Sequence, residues 1–168
     1  MAVIPQDPVL FSGSIRSNLD PFDKFSDDRI SIVLERVGLL DANNSKAAIK
    51  SLDDVVMEGG SNFSVGQRQL MVIGRALLAR ATVIICDEAT AAVDAENDAR
   101  MQKLFRSDFE NATFLTVAHR LNTIMDSDYV LVMHNGKAAE FDSPSNLLRA
   151  KDGMFKKLVD TWEKEHTH

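Results

Sequence analysis

The stretch from Ser64 to Asp94, SVGQRQLMVIGRALLARATVIICDEATAAVD, constrains this chain more than any other. Leu70, Ile73, Leu77 and Leu78 recur at helical spacing, which predicts a helix over about Ser64–Arg80 with that side buried. Thr82–Cys86 is a short, β-branched apolar run, the pattern of a central parallel strand covered on both faces. Thr113–Val117 reads as a second buried strand, and a helix over Ala95–Phe109 lies between the two. Helices that alternate with buried strands place the chain in the α/β class.

The flanks read differently. Residues 3–22 hold three of the four prolines and are expected to be a loop with short extended pieces. Ser26 can cap a helix carrying Ile30, Val33, Leu34 and Val37, which Gly38 stops. A weaker helical piece is expected around Lys46–Leu52, and a short helix at Leu121–Met125. Tyr129–Met133 and Lys137–Phe141 form a hairpin across His134-Asn135-Gly136, where Asn-Gly supplies the turn. Pro144 opens a helix at a tolerated first position, and Met154–Glu165 completes a helical tail. No internal repeat or low-complexity segment is present.

A chain of 168 residues, 45% apolar and 26% charged, fits one globular domain with a sizeable core. The net charge of −6 and the scattered Lys and Arg argue against a nucleic-acid partner, which calls for a basic stripe. The single cysteine, Cys86, rules out an internal disulfide framework and reads as a buried small hydrophobe. No apolar run reaches the 18 or so residues a bilayer span requires. Met1-Ala2 leads straight into VIPQDPVLF, an abrupt start expected of a fragment.

The chemistry-bearing residues sit at element ends. Ser64 with Gln67 three positions on is a capping-box pattern, and Gly66 removes a side chain beside free N–H groups. A helix start of this kind suits an anion, although Ser-x-x-Gln alone most often only caps. Asp87 and Glu88 lie where a buried strand emerges, the end at which α/β sheets bind ligands. One carboxylate there can hold Mg²⁺ through water, and its neighbour can orient or deprotonate an attacking water; an acid-rich helix start is the plainer reading. His119 follows the second strand, where it can polarise a phosphate, and Gln6 is a neutral loop side chain within reach of a metal or water. The other three histidines are assigned no chemistry. A phosphate loop of the form G-x-x-x-x-G-K-S/T is not found: the only Gly-Lys pair is Gly136-Lys137, and position 131 is Leu.

Taken in order, IPQDPVLFSGSIRSNLDPF, NFSVGQRQL, DEATAAVD and AHRLNTIMDSD resemble the nucleotide-binding domain of ATP-binding cassette (ABC) proteins from its Q-loop onward. They look most like the second cassette of the C subfamily, the multidrug-resistance-associated exporters. Phe63 stands where Leu is usual, and Val65 in place of Gly is typical of this branch. The resemblance covers nearly the whole chain and implies a P-loop NTPase-type fold lacking its first strand, Walker A loop and helix. Residues 1–168 are then a partial domain. About 11–61 form the helical subdomain, and about 62–168 carry the signature helix, Walker B, D-loop, switch histidine and C-terminal helices.

The resemblance also assigns roles. Gln6 is the Q-loop glutamine, a ligand toward Mg²⁺, and Asp87 the Walker B aspartate that sets the metal. Glu88 is the catalytic glutamate and His119 the switch histidine at the γ-phosphate. Ser64, Val65, Gly66 and Gln67 belong to the signature motif and Asp94 to the D-loop. Cassettes of this family pair head to tail, so the signature residues would close over ATP held by a partner cassette. The implied setting is the cytoplasmic face of a membrane, with the transmembrane domains of the same transporter as partners. The fragment alone is expected to be inactive and prone to self-association. The alternatives are a cassette of a same-subfamily channel or regulator, or a docking module that lends only its signature motif.

Overall fold

A computed structural model describes residues 1–40, 48–87, 93–117 and 124–166. The chain divides into two compact units, Met1–Val117 and Ala118–His168.

The first unit is built on a parallel sheet of β1 (Ala2–Ile4), β4 (Val83–Asp87) and β5 (Thr113–Val117), in the order β1-β4-β5. The register aligns Ile4 with Cys86, and Cys86 with Thr116. Between β1 and β4 run β2 (Gly13–Ser14), α1 (Ile15–Leu19), α2 (Asp27–Arg36), β3 (Val55–Val56), a 3-10 turn at Glu58–Gly60 and α3 (Val65–Leu78). The helix α4 (Ala95–Ser107) connects β4 to β5. β2 and β3 pair antiparallel through Gly13 with Val56 and Ser14 with Val55.

The helix α3 follows the apolar spacing, with Ser64 as its N-cap, and buries Leu70, Met71, Ile73 and Leu78. Those side chains, Ile30 and Leu34 of α2, and Ile4 and Ile84 of the sheet share one core. The helix α2 also matches its pattern. Gly38, at φ 73°, ends it: its N–H donates to Glu35 O and Leu39 N–H to Leu34 O, the paired bonds of a Schellman stop.

Three expectations fail. The segment Ile15–Leu19 is helical, because Ser14 and Ser17 cap it reciprocally and its backbone bonds to Asp54 and Leu52. Within Lys46–Leu52, the described residues 48–52 form no helix; Ile49 makes a parallel bridge to Leu40 and is buried there. Lys46 and Ala47 lie outside the described residues. Among the described residues of this unit, the sheet is buried on one face. Ile84 and Cys86 are buried, whereas Val3, Val83, Leu115 and Val117 are exposed, Leu115 by 57%. The core helices pack on a single side, so alternation along each strand leaves the opposite row open.

In the second unit, β6 (Val130–His134) and β7 (Lys137–Asp142) form the expected hairpin, with a register shift at Val132/Met133. Asn135 and Gly136 turn it with φ of 49° and 73°, the positive values such a two-residue turn demands. The helix α5 (Pro144–Arg149) has Pro144 in its first turn and Ser143 as cap, and α6 (Met154–His166) follows. Glu140 of β7 caps α6 from outside the helix: its carboxylate accepts from Met154 N–H at 2.8 Å and Phe155 N–H at 2.9 Å. Val132, Leu147, Phe155 and Val159 form this unit's core. No helix among the described residues is long and apolar enough to cross a membrane.

Candidate functional site

The site has two parts, and each begins with strand or helix geometry. Parallel pairing of β1 with β4 brings both strands to the same end, so Gln6, two residues past Ile4, and Asp87, the last residue of β4, leave the sheet side by side in topology. Both are exposed. Glu88 and His119 lie outside the described residues. Among the described residues no three His, Cys, Asp or Glu gather to hold a metal. A sparse donor set of this kind fits Mg²⁺, which keeps water and takes ligand oxygens from phosphates.

The second part is the start of α3. Ser64 Oγ accepts from Gln67 N–H at 3.2 Å, and Gln67 Oε1 accepts from Ser64 N–H at 2.9 Å, a complete capping box. The Val65 and Gly66 N–H groups precede any possible intrahelical carbonyl and make no hydrogen bond among the described residues. Ser64 is exposed, Val65 half-buried and Gly66 buried against Asn97, at the start of a 14-residue helix. The arrangement suits an anion with several oxygen acceptors.

Gly66 is also a packing position. A Cβ built there would lie 2.7 Å from Asn97 Nδ2 and 3.0 Å from Asn97 Cβ. The missing side chain therefore lets α4 close on α3. Asp94 is the N-cap of α4; its carboxylate accepts from Asn97 N–H at 3.0 Å and from Asn97 Nδ2–H at 2.7 Å. These bonds from Asn97 hold the Asp94 carboxyl below its ordinary pKa. One asparagine thus fixes Asp94 and packs against the first turn of α3, joining two sequence-predicted site segments. Burial pushes the Cys86 thiol up to about 12, so it is an inert core group and takes no part.

Sequence reading missed two more residues on α3. Gln69 is fully buried and donates from Nε2 to Pro5 O and Gln6 O, both at 2.9 Å. Arg75 donates to Val9 O at 3.0 Å and to Asn18 O at 2.7 Å. The available signal was a polar residue on the buried arc, one turn before Ile73.

A family model described as "ABC transporter" matches residues 1–91. The chain is 51% identical over 163 residues to ABC transporter C family member 8 of Dictyostelium discoideum, covering 97% of this chain and 10% of the relative. It is 48% identical over 167 residues to ABC transporter C family member 5 of Arabidopsis thaliana, covering 99% of this chain and 11% of that protein. Among solved structures, a bacterial Atm1-family ABC exporter with ATP bound matches with a TM-score of 0.81 and 30% identity, covering 99% of this chain and 28% of the other. The chain thus spans about a tenth of the length of these curated relatives.

Proposed function

This chain belongs to the ABC transporter family, and on that footing we propose that it is the portion of an ATP-binding cassette, from the Q-loop onward, whose ATP hydrolysis drives export across a membrane. The observation that carries the reading is the start of α3, where Val65 and Gly66 N–H are unspent beside a completed capping box. Ser64, Val65, Gly66 and Gln67 would hold a phosphate of ATP bound chiefly by a partner cassette. Gln6 and Asp87 would face Mg²⁺ at this cassette's own nucleotide, with Asp94 at the junction of the pair.

Catalysis of phosphoryl transfer is mostly positioning and charge neutralisation. Bound Mg²⁺ would supply positive charge against the β- and γ-phosphates. Asp87 would fix it, Gln6 would orient its water shell, Glu88 would orient the attacking water, and His119 would donate toward the γ-phosphate. Residues of about 11–61 would form the helical subdomain facing the transmembrane domains at the cytoplasmic side, and about 62–168 the remainder of the cassette. The relatives' names support a transporter; one, from Candida glabrata, is a pleiotropic efflux transporter of multiple drugs.

The sequence holds no G-x-x-x-x-G-K-S/T, so the chain alone lacks the backbone nest and lysine that neutralise β- and γ-phosphates. We expect no hydrolysis by the isolated chain. Calorimetry with Mg-ATP tests this: the chain alone should not bind, and the chain joined to an upstream segment bearing such a loop should. Tight binding by the chain itself overturns the assignment of Ser64–Gln67. The open row Val3, Val83, Leu115 and Val117 supports self-association of the chain; a monomer by light scattering at micromolar concentration counts against that.

A second reading is favoured by the same α3 start: the chain acts as a docking module that lends its signature residues to a complete cassette. ATP-dependent binding to such a cassette, without turnover at this chain's own carboxylates, separates it from the first. A same-subfamily channel or regulator would use the cassette to gate rather than to pump.

A further inference from the structure

The segment that carries Gln6 leaves the sheet after Ile4 and is tied down by side chains. Gln69 holds the carbonyls of Pro5 and Gln6, Arg75 holds Val9 O, and Asn18 bonds both the N–H and the O of Phe11. Of these tethers only Gln69 touches the peptide of Gln6 itself. Gln69 lies 64 and 63 positions along the chain from Pro5 and Gln6.

Chemistry fixes which way the amide points. Two carbonyl oxygens can only accept, so the group between them is the NH₂. Oε1 then faces away; it is buried and has no hydrogen-bond partner among the described residues. An orphan buried acceptor costs free energy, and an apolar side chain of the same length would avoid it. The amide therefore stands in the core for its two donors and for the loop they hold.

Its place on the helix matters equally. Gln69 lies two residues beyond Gln67, at the end of the turn that presents the unspent Val65 and Gly66 donors. One side chain thus fastens the metal-facing loop to the phosphate-facing helix start. We propose that Gln69 is a positioning residue for hydrolysis: it sets the place of Gln6 relative to α3, so that Gln6 addresses Mg²⁺ and its water only when α3 is in register. This rests on the reading of Gln6 given above.

The test is a double-mutant cycle in a full-length transporter carrying this segment, with ATP turnover measured across a Mg²⁺ titration. Gln69→Met keeps volume and removes both donors. Turnover should fall about tenfold, the usual cost of losing a residue that orients a metal-facing group, and half-maximal turnover should need more Mg²⁺. Gln6→Ala should show the same pattern, and the double variant should be no worse than the poorer single one. Binding of ATP in the absence of Mg²⁺ should not change.

Unaltered turnover in Gln69→Met, or effects that multiply in the double variant, overturn the proposal and leave Gln6 untouched. Unaltered turnover in Gln6→Ala removes the reading of Gln6, and the proposal falls with it. If Gln69→Met does not fold, Gln69→Asn keeps a buried amide one carbon short of both carbonyls, and the same cycle is read with it.

Discussion

Two helices of this chain begin with the same device, and only one of them has the makings of a site. At α1, Ser14 Oγ accepts from Ser17 N–H at 3.1 Å and Ser17 Oγ accepts from Ser14 N–H at 3.0 Å. At α3, Ser64 and Gln67 exchange the equivalent pair. The difference lies in the next donors. In α1, Ile15 N–H and Arg16 N–H are taken by Asp54 O and Leu52 O, at 3.0 and 2.9 Å. In α3 the corresponding Val65 and Gly66 N–H have no such partner among the described residues. Length adds to the contrast, since five residues align few peptide dipoles and fourteen align many. A capping box by itself finishes a helix; left with unspent donors at the start of a long helix, it can also hold a ligand.

The sharpest test of that contrast removes the two serine hydroxyls in turn. Ser14→Ala and Ser64→Ala should each lower stability by about 1 kcal/mol, the usual worth of an N-cap hydroxyl, as read from urea unfolding of the chain. In a full-length transporter the two should part company. Ser64→Ala should reduce ATP turnover by about tenfold or more, as loss of a positioned phosphate contact does, and Ser14→Ala should leave it near wild type. Equal turnover in both variants would return the α3 start to a purely structural role.

How legible this contrast was in the sequence depends on what each residue needed to declare itself. The helix α3 and the strand after it could be read because apolar spacing over many residues reports burial directly. The five residues of α1 hold too short a pattern, and their helicity comes from distant partners: Asp54, Leu52 and the Asn18–Phe11 bonds. The place of Asp87 at the end of β4 was legible because a strand end is a position as well as a residue type; Gln6 stood in a stretch read as loop, since the three residues of β1 are too short a pattern to declare a strand. Gln69 and Asn97 were not legible, because a glutamine or asparagine on a helix looks solvent-facing until its neighbour across the packing is known. The open sheet face was missed for a related reason: an apolar strand shows what it can bury, not whether anything covers it.

Gly66 is where the two helix starts differ in packing, and it gives a smaller effect. Gly66→Ala places a methyl 2.7 Å from Asn97 Nδ2 and 3.0 Å from its Cβ, so the Asn97 side chain or one of the two helices must shift. Overpacking of this kind costs about 1–3 kcal/mol, and the better helix propensity of alanine returns up to about 1. A net loss of about 1 kcal/mol is expected in urea unfolding. A variant more stable than wild type would mean that Asn97 swings aside freely and does not join the two segments.

The smallest effect concerns the carboxylate that Asn97 holds. Asp94 lies below its ordinary 3.8, first because Asn97 N–H bonds it and next because the Asn97 side chain does. A depressed folded value stabilises the folded state above the unfolded pKa and is lost as pH falls through the folded one. The Asp94 contribution is therefore intact at neutral pH and disappears below 3.8. Asp142 is lowered as well, by Asn146 and the Ser143 N–H, and titrates in the same acid window. Stability against pH alone therefore does not separate the two. Carboxyl carbon shifts followed by NMR do. Asn97→Ala should move the Asp94 midpoint up toward 3.8 and leave Asp142 where it is. An Asp94 midpoint indifferent to Asn97→Ala would leave the α4 cap to the backbone alone and break the link from α3 to Asp94.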